Sequence, residues 1–446
     1  MSEPIGGSGK GMKLHTKILL GLAVGLALGI GVNLTVGVSN PTVDWINRYL
    51  AIPMGQIFLR MLFMVVMPLV FASIALGVAG LGDIRKVGRV GGKAIGYFLV
   101  TTALAATLGL IIVNLTRPWE RVTPETRVAL MERFSKDASS RVEAAAMSTF
   151  GMDTLVNIVP RNPIRAAADT DMLGVIFFGL MFGTALTLIP VAKAKPMMDV
   201  LEALNAVVTA IIHFAMLFAP FGVAALIFTV SSRFGFDLML AVAAYVGTVL
   251  IALAVHVGIT LSAIIRFLIG MNPLLFYSRT RAALITAFST SSSSATLPTA
   301  MDVAQEQLGV PARISGFVLP IGSTMCMNGT AIFEGITVIF LAEIFAVDLS
   351  LGQMAAVMVM SVITAVGAAG VPGGSIPLLV GVLTMFGVPG EGIAIVLGVD
   401  RVLDMSRTTV NVCGDLTAAT WVAKSENMWT PDMVPAPSEA VVEARP

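Results

Sequence analysis

The feature that most constrains this chain is a series of apolar segments long enough to cross a lipid bilayer. A membrane-spanning helix needs about 20 mainly apolar residues, because the hydrocarbon core is about 30 Å thick and a helix rises about 1.5 Å per residue. Eight such segments lie at residues 18–38, 45–80, 92–116, 172–191, 197–228, 237–268, 313–345 and 390–423. Apolar residues make up 56% of the 446, and charged residues only 12%. The sequence therefore predicts an all-α polytopic membrane protein.

Basic residues near the ends of these segments set the predicted orientation. Lysines precede the first span, and clusters of Lys and Arg follow the second, fourth and sixth spans. All of these clusters fall on one side, which the positive-inside rule assigns to the cytoplasm. We therefore expect a cell inner membrane protein with cytoplasmic tails at residues 1–17 and 424–446. Residues 117–171 are predicted to form one long external loop.

Two further apolar segments, residues 275–308 and 350–387, are interrupted by residues that disfavour helices. The first contains a run of serines and threonines that ends at Pro298, and the second is rich in glycine and proline at residues 367–377. Hydroxyl side chains compete for backbone hydrogen bonds, glycine is flexible, and proline lacks the N–H donor. Each segment is therefore predicted to be a re-entrant hairpin. Broken helices at membrane depth are typical of transport sites.

The last span carries a polar stripe. Asp400, Asp404, Arg407, Asn411 and Asp415 recur at spacings of three or four residues, which places them on one face of a helix. Ionisable groups within a bilayer are costly unless they face the protein interior or a water-filled cavity. The stripe therefore predicts a functional site. Span seven is also interrupted, at residues 322–330, where an unwound helix would expose the carbonyl oxygens that Na⁺ prefers.

These motifs resemble those of the dicarboxylate/amino acid:cation symporters, a family that includes archaeal aspartate transporters and mammalian excitatory amino acid transporters. The motifs that carry the resemblance are Ser294-Ala295-Thr296-Leu297-Pro298, Met327-Asn328-Gly329-Thr330, Gly370-Val371-Pro372-Gly373 and the last span from Asp404 to Asp415. The resemblance implies eight transmembrane helices plus two re-entrant helical hairpins, in a glutamate-transporter-like elevator fold. It also implies a homotrimer.

The resemblance also implies that the chain has two domains. Spans one and two, at residues 18–80, and spans four and five, at 172–236, would form a trimerising scaffold. Span three, at residues 81–116, and residues 237–423 would form a mobile transport domain, in which hairpin one and hairpin two accompany spans six, seven and eight. Hairpin one would open inward, and hairpin two would act as the outer gate.

The charges of the last span match an acidic L-amino acid. Asp404 has no evident partner in mid-helix and would hold the substrate ammonium, whereas Arg407 would bind the side-chain carboxylate through two hydrogen bonds. Asn411 would bind the main-chain carboxylate. The remaining predicted substrate-binding residues are Ser292, Ser293, Thr330, Val371, Gly373 and Thr408. Relatives that carry dicarboxylates lack the aspartate and those for neutral amino acids lack the arginine, so we expect glutamate or aspartate.

The residues expected to bind sodium depart from the family pattern. Sodium-coupled relatives have Asn-Met-Asp-Gly-Thr where this chain has Cys326-Met327-Asn328-Gly329-Thr330. The resemblance implies a site at Thr101, Thr102 and Asn328, which has lost its carboxylate and is expected to be degenerate. A second set could still hold one Na⁺: the Gly322 carbonyl, Asn411 and Asp415.

A glutamate in span seven offers another coupling ion. Glu334 aligns with the residue that resembles the proton carrier of the mammalian relatives. A glutamate removed from water can take up and release a proton. We therefore predict H⁺ as the coupling ion, with Na⁺ as the alternative, and no cofactor.

Other classes of function fit the residues less well. Asp404 and Asp415 lie three turns apart on one helix, which is too far for the shared proton of an aspartyl protease. None of the three histidines lies near the serine run, as a hydrolase would need. We therefore expect no enzyme activity, and a net charge of +1 argues against nucleic acid as a partner. An ion channel is the alternative from another class, because polar stripes and exposed carbonyls also suit ion conduction.

Overall fold

All regular secondary structure in the described part of the chain is helical. The computed structural model describes residue 12 and residues 14–36, 40–79, 88–123, 125–128, 130, 159–168, 172–368, 370 and 372–434. Five helices in these residues are long and apolar enough to cross a membrane: Thr16–Thr35, Arg89–Arg121, Val191–Arg233, Leu238–Ile269 and Ala312–Ile344. This is the pattern of a multi-pass membrane protein, as the sequence predicted.

The α-helices follow one another along the chain with these bounds: α1 Leu14–Thr35, α2 Pro41–Ile46, α3 Ile52–Phe63, α4 Val66–Ala79, α5 Gly88–Thr116, α6 Pro163–Ala168, α7 Met172–Leu188, α8 Val191–Val255, α9 Pro273–Thr290, α10 Ser293–Asp302, α11 Ala312–Met325, α12 Asn328–Ile344, α13 Leu351–Gly367, α14 Ile376–Met385, α15 Ala394–Leu397 and α16 Asp400–Ser425. Segments of π-helix lie at Asn47–Ala51, His256–Leu261, Ile264–Ile269 and Val303–Gln307. Short 3₁₀ turns lie at Pro118–Arg121, Gly390–Ile393 and Pro431–Met433.

A first group of helices packs along the long helix α8. Helices α1 and α3 lie against α8, and α4 packs against α7. The contact between α1 and α8 is close because α1 presents glycines to it. A Cβ atom at Gly21 or Gly25 would overlap the backbone of Pro220 or Ala224. Small residues allow this backbone approach in membrane helices.

Helix α8 runs unbroken where the sequence predicted a turn between spans five and six. It contains 65 residues, so the predicted gap at residues 229–236 is helical, and the predicted domain boundary after residue 236 falls within the helix. Gly235 is the one glycine in that gap, and no proline lies there. A single glycine costs only about 1 kcal/mol relative to alanine in a helix and does not end it.

Helix α12 lies at the centre of a second group of helices. It packs against α5, α13 and α16, and all of its residues except Glu343 are buried. A helix that is apolar on every face is expected to be covered on every side. Residues Cys326 and Met327 separate α12 from α11, so span seven is interrupted within the predicted region.

The two predicted hairpin segments each form a pair of helices. In hairpin one, α9 and α10 pack on each other, and the π-helical segment after α10 contacts α9. The chain reverses at Ser291, whose φ of 52° is left-handed. In hairpin two, α13 and α14 pack on each other, and the described residues between them are non-helical.

The first residues of the predicted C-terminal tail pack against the protein. Glu426 forms ion pairs with Arg89 at 2.6 Å and Lys93 at 2.7 Å. These hydrogen bonds hold the pKa of the Glu426 carboxyl well below its usual range, at about 2. Trp429 is buried, and its indole N–H donates to the Leu308 carbonyl at 2.6 Å. The end of α16 is therefore tied to α5 and to the base of hairpin one.

Candidate transport site

The polar stripe of α16 lies inside the protein. The exposed fractions of Asp400, Asp404, Arg407, Asn411 and Asp415 are between 1% and 7%. Each side chain is therefore removed from bulk water, and its charge or polarity must be balanced by other protein groups.

Arg407 is held by two carboxylates of its own helix. It donates from Nη1 to Asp400 Oδ1 at 2.8 Å and from Nε to Asp404 Oδ1 at 3.1 Å. The face of the guanidinium lies over the ring of Phe333, 4.1 Å from its centroid. This combination of ion pairs and cation–π contact fixes the plane of the guanidinium.

Asp404 is paired, although the sequence suggested no partner for it. Its Oδ1 accepts from Arg407, its Oδ2 accepts from the Gly373 N–H at 3.1 Å, and Arg401 Nη1 lies 3.6 Å from Oδ2. The spacing of three residues to both arginines brings these groups together on the helix surface. Two carboxylates therefore balance two guanidinium groups in the structure.

Asn411 connects α16 to the start of α12. Its Oδ1 accepts from the Gly329 N–H at 2.7 Å, and its Nδ2 donates to Thr330 Oγ1 at 3.1 Å. The first N–H groups of a helix lack partners within the helix, so Asn411 satisfies one of them. A Cβ atom at Gly329 would overlap the backbone of Arg407, and only glycine allows this approach.

The tips of the two hairpins contact each other above the stripe. Ser292 Oγ donates to the Gly370 carbonyl at 2.6 Å, and the Ser294 N–H donates to the same oxygen at 3.2 Å. A Cβ atom at Gly370 would lie 2.7 Å from both Ser294 Oγ and the Ser323 carbonyl oxygen. The tips can therefore meet this closely only with glycine at position 370.

A small, partly open cavity of about 20 Å³ lies between the stripe, the hairpin tips and the start of α12. It is lined by Ser291, Ser293, Met327, Thr330, Ala368, Gly370, Ser375, Asp404, Arg407, Thr408 and Asn411. Six of the predicted substrate-binding residues are among them: Ser293, Thr330, Asp404, Arg407, Thr408 and Asn411.

Two of the predicted substrate-binding residues, Ser292 and Gly373, are not among the residues that line this cavity. Ser292 caps α10 and bonds to the opposite hairpin tip, while Gly373 bonds to Asp404. Val371 lies outside the described residues. Sequence reasoning missed Ser291, Met327, Ala368, Gly370 and Ser375. All five lie in or beside the predicted breaks, which was the available signal.

The residues of the predicted degenerate sodium site form hydrogen bonds with one another. Thr102 Oγ1 donates to Asn328 Oδ1 at 2.9 Å, and Thr101 Oγ1 lies 3.3 Å from the same oxygen. Asn328 Nδ2 is buried and has no hydrogen-bond partner within the described part of the chain. The three residues are together, but they present a neutral amide instead of a carboxylate.

The second predicted sodium ligand set, which consists of Gly322, Asn411 and Asp415, contains a buried carboxylate. Asp415 packs directly against Gly322, where a Cβ atom would overlap Asp415 Oδ1, and the Gly322 carbonyl accepts from the Cys326 N–H at 2.8 Å. Oδ1 of Asp415 lacks a hydrogen-bond partner in the described ranges. The described residues contain no cluster of three or more His, Cys, Asp or Glu that could hold a metal ion.

Glu334 is completely buried one turn below the cavity-lining Thr330. Its Oε2 lies 2.5 Å from the hydroxyl oxygen of Thr364 on α13. Its Oε1 has no hydrogen-bond partner among the residues that the structure describes. A buried carboxyl group with one hydrogen-bond partner is more costly to bury in its charged form than in its neutral form.

Comparison with known proteins places these features in a family. The model of the sodium:dicarboxylate symporter family matches residues 14–425. The proton/sodium-glutamate symport protein of Bacillus caldotenax is 34% identical over 409 residues, 91% of this chain and 96% of that protein. The proton/glutamate-aspartate symporter of Escherichia coli is 34% identical over 86% of this chain and 87% of its own length. The C4-dicarboxylate transport protein of Bacillus subtilis is 34% identical over 84% and 87%. The chain therefore belongs to the sodium:dicarboxylate symporter family.

Proposed function

We propose that this protein is a secondary active symporter that takes up glutamate or aspartate together with protons. The observation that carries the proposal is the buried cavity lining in which Asp404, Arg407 and Asn411 meet the two hairpin tips. The names of the relatives support the substrate class, since two of those described are glutamate or glutamate-aspartate symporters.

The proposed substrate contacts follow from charge and geometry. Arg407 presents a planar pair of donors suited to the side-chain carboxylate, and Asp404 can accept from the ammonium group. Asn411 would bind the main-chain carboxylate, with Thr330 and Thr408 adding hydroxyl groups. Because Arg407 and Asp404 are paired with each other, binding would exchange this internal ion pair for two pairs with the substrate.

Charge balance favours one proton per acidic substrate at this site. An acidic amino acid carries a net charge of −1. The charges of Asp400, Arg401, Asp404 and Arg407 already cancel one another. A buried net charge is costly at membrane depth. Protonation of Glu334 removes one negative charge, so proton and substrate together leave the net charge of the buried site unchanged.

Sodium coupling is the alternative, and it rests on Asp415. Oδ1 of Asp415 has no hydrogen-bond partner among the described residues, and together with the Gly322 carbonyl and Asn411 it could hold one Na⁺. Three features favour protons over sodium: the amide at Asn328, the hydroxyl groups of Thr101 and Thr102 bonded to it, and the loss of an oxygen ligand at Cys326. These three residues offer few oxygen ligands for a cation that prefers several, and Asn411 Oδ1 already accepts from the Gly329 N–H.

An ion channel is the alternative from another class, and the hairpin-tip contact argues against it. Two hydrogen bonds to the Gly370 carbonyl join the tips across the cavity, whereas a conducting pore needs a continuous path. A symporter takes up substrate and coupling ion in a fixed ratio. A channel would instead give an ion current that is not coupled to substrate uptake.

The finer architecture belongs to the same proposal. We propose eight transmembrane helices and two re-entrant hairpins, with a transport domain of residues 81–116 and 237–423 moving as an elevator against a scaffold of residues 18–80 and 172–236, within a homotrimer in the inner membrane. Both termini would be cytoplasmic. The tie between the end of α16, α5 and the base of hairpin one supports a transport domain that moves as one body.

Radiolabelled uptake into proteoliposomes tests the proposal. We expect accumulation of aspartate or glutamate under an inward proton gradient without sodium, and none under a sodium gradient at equal pH. A strict requirement for sodium would contradict proton coupling and favour the Asp415 site.

A further inference from the structure

The Thr364 hydroxyl lies between the buried carboxyl group of Glu334 and a backbone carbonyl. It is 2.5 Å from Glu334 Oε2 and 2.6 Å from the Met360 carbonyl oxygen. A hydroxyl group has one hydrogen to donate and two lone pairs with which to accept. It therefore cannot donate to both oxygens at once.

Each protonation state of Glu334 has one arrangement that satisfies this hydroxyl. When Glu334 is protonated, its O–H donates to Thr364 Oγ1, and Thr364 donates to the Met360 carbonyl. When Glu334 is ionised, Thr364 turns its hydrogen to the carboxylate. The Met360 carbonyl tolerates this loss because the helical N–H of Thr364 remains its partner.

Few other ionisable groups face Glu334. From α16, Arg407 packs over the ring of Phe333, the residue before Glu334, and is paired with Asp400 and Asp404. From α8, the Tyr245 hydroxyl contacts α12 at Thr337. Helix α5 contains no ionisable residue after Tyr97, and the hairpin-two helices α13 and α14 contain none. The 3₁₀ turn Pro118–Arg121 also packs on α12, and its Glu120 and Arg121 are exposed. Thr364 is therefore the direct hydrogen-bond partner that the structure gives to the Glu334 carboxyl group.

We propose that Thr364 is a positioning residue for proton coupling, whose hydroxyl serves Glu334 as acceptor in the protonated state and as donor in the ionised state. This inference rests on the proposed role of Glu334 as proton carrier. Because Thr364 belongs to α13, the hydroxyl also links the protonation of Glu334 on α12 to hairpin two.

Removing the hydroxyl should affect the ionised state more than the protonated one. Hydrogen bonds to charged groups contribute roughly twice as much as those between neutral groups. In Thr364→Val, Glu334 should therefore hold its proton more tightly. We expect the external pH at which net uptake is half-maximal to rise by about one unit, a tenfold change in proton concentration.

The test compares net uptake with substrate exchange in proteoliposomes over a range of external pH. Net uptake requires Glu334 to release its proton inside, whereas exchange of internal for external substrate does not. Thr364→Val should raise the pH midpoint and slow net uptake, while exchange stays near the wild-type rate. Thr364→Ser should restore the midpoint, because it retains the hydroxyl.

A matched control lies in the same hairpin. Thr384 donates only to the Gly381 carbonyl of its own helix, so Thr384→Val makes the same change without contact to Glu334. It should leave the pH midpoint unchanged. The midpoint does not depend on how much protein folds, and Thr364→Ala provides a second variant if the valine variant is inactive.

The outcomes separate this inference from the proposed function. If Glu334→Gln abolishes proton-driven net uptake but neither Thr364→Val nor Thr364→Ala moves the midpoint, the inference about Thr364 is wrong. If Glu334→Gln retains the wild-type pH dependence, the proton carrier itself is misassigned.

Discussion

The contact between the hairpin tips gives a quantitative prediction at Gly370. In Gly370→Ala, the new Cβ atom would lie 2.7 Å from Ser294 Oγ and from the Ser323 carbonyl oxygen. Contacts this short force the two tips apart. The displacement removes the two hydrogen bonds that the Gly370 carbonyl accepts, from Ser292 Oγ at 2.6 Å and from the Ser294 N–H at 3.2 Å.

The size of the effect follows from those two bonds. A hydrogen bond within a protein contributes about 0.5–1.5 kcal/mol net, so the closed arrangement should lose about 1–3 kcal/mol. Such a loss shifts the equilibrium between closed and open tips by about 5- to 150-fold. If substrate is held only in the closed arrangement, the apparent KM for uptake should rise by a similar factor. Ser292→Ala removes one of these two bonds without a clash, together with the cap that Ser292 provides for α10. Loss of the bond to Gly370 should raise the KM by about 2- to 13-fold.

The assay is initial-rate uptake of labelled aspartate in proteoliposomes, with protein amounts matched. Gly316→Ala on α11 is the control, because a Cβ atom there meets nothing within 4 Å, and its KM should equal that of the wild type. The reasoning would be refuted by a Gly370→Ala variant whose KM stays within a factor of two of the wild-type value.

Three further predictions concern the substrate site, the cation site and the C-terminal contact. Arg407→Lys keeps the charge but loses the planar pair of donors, so affinity for aspartate should fall at least tenfold in competition uptake; an unchanged affinity would exclude Arg407 as the carboxylate ligand. Asn328→Asp restores the missing carboxylate and should make uptake respond to sodium; continued indifference to sodium would mean that this amide is not what prevents sodium binding. Trp429→Phe removes the hydrogen bond to the Leu308 carbonyl and should lower the free energy of unfolding by about 1 kcal/mol, measured by thermal unfolding in detergent. The exposed Trp45 is the control, and Trp45→Phe should change stability less; equal effects would contradict the assigned contact.

Much of the architecture could be predicted because each feature leaves a local pattern. Apolar length marks the membrane helices, serine and glycine runs mark the breaks, and a spacing of three and four marks the stripe. The pattern misled at α8, since the polar residues between 228 and 237 suggest a turn. Helical hydrogen bonding continues through them, because one glycine without proline does not end a helix.

The tertiary partners could not be read from the sequence. Arg401 lies about 60° from Asp404 around the helix, on the opposite side from Arg407, and its approach to the carboxylate depends on side-chain conformation. The pairing of Thr364 with Glu334 joins residues 30 positions apart. Nothing in either local pattern indicates that these two helix faces meet, because that contact is decided by how hairpin two packs on α12.

Direct detection of proton movement tests the central claim most sharply. A pH-sensitive dye inside sodium-free proteoliposomes should report acidification of the lumen when aspartate is added outside, and Glu334→Gln should abolish the signal. Substrate accumulation without acidification, or acidification that persists in Glu334→Gln, would contradict a symporter that carries its proton on Glu334.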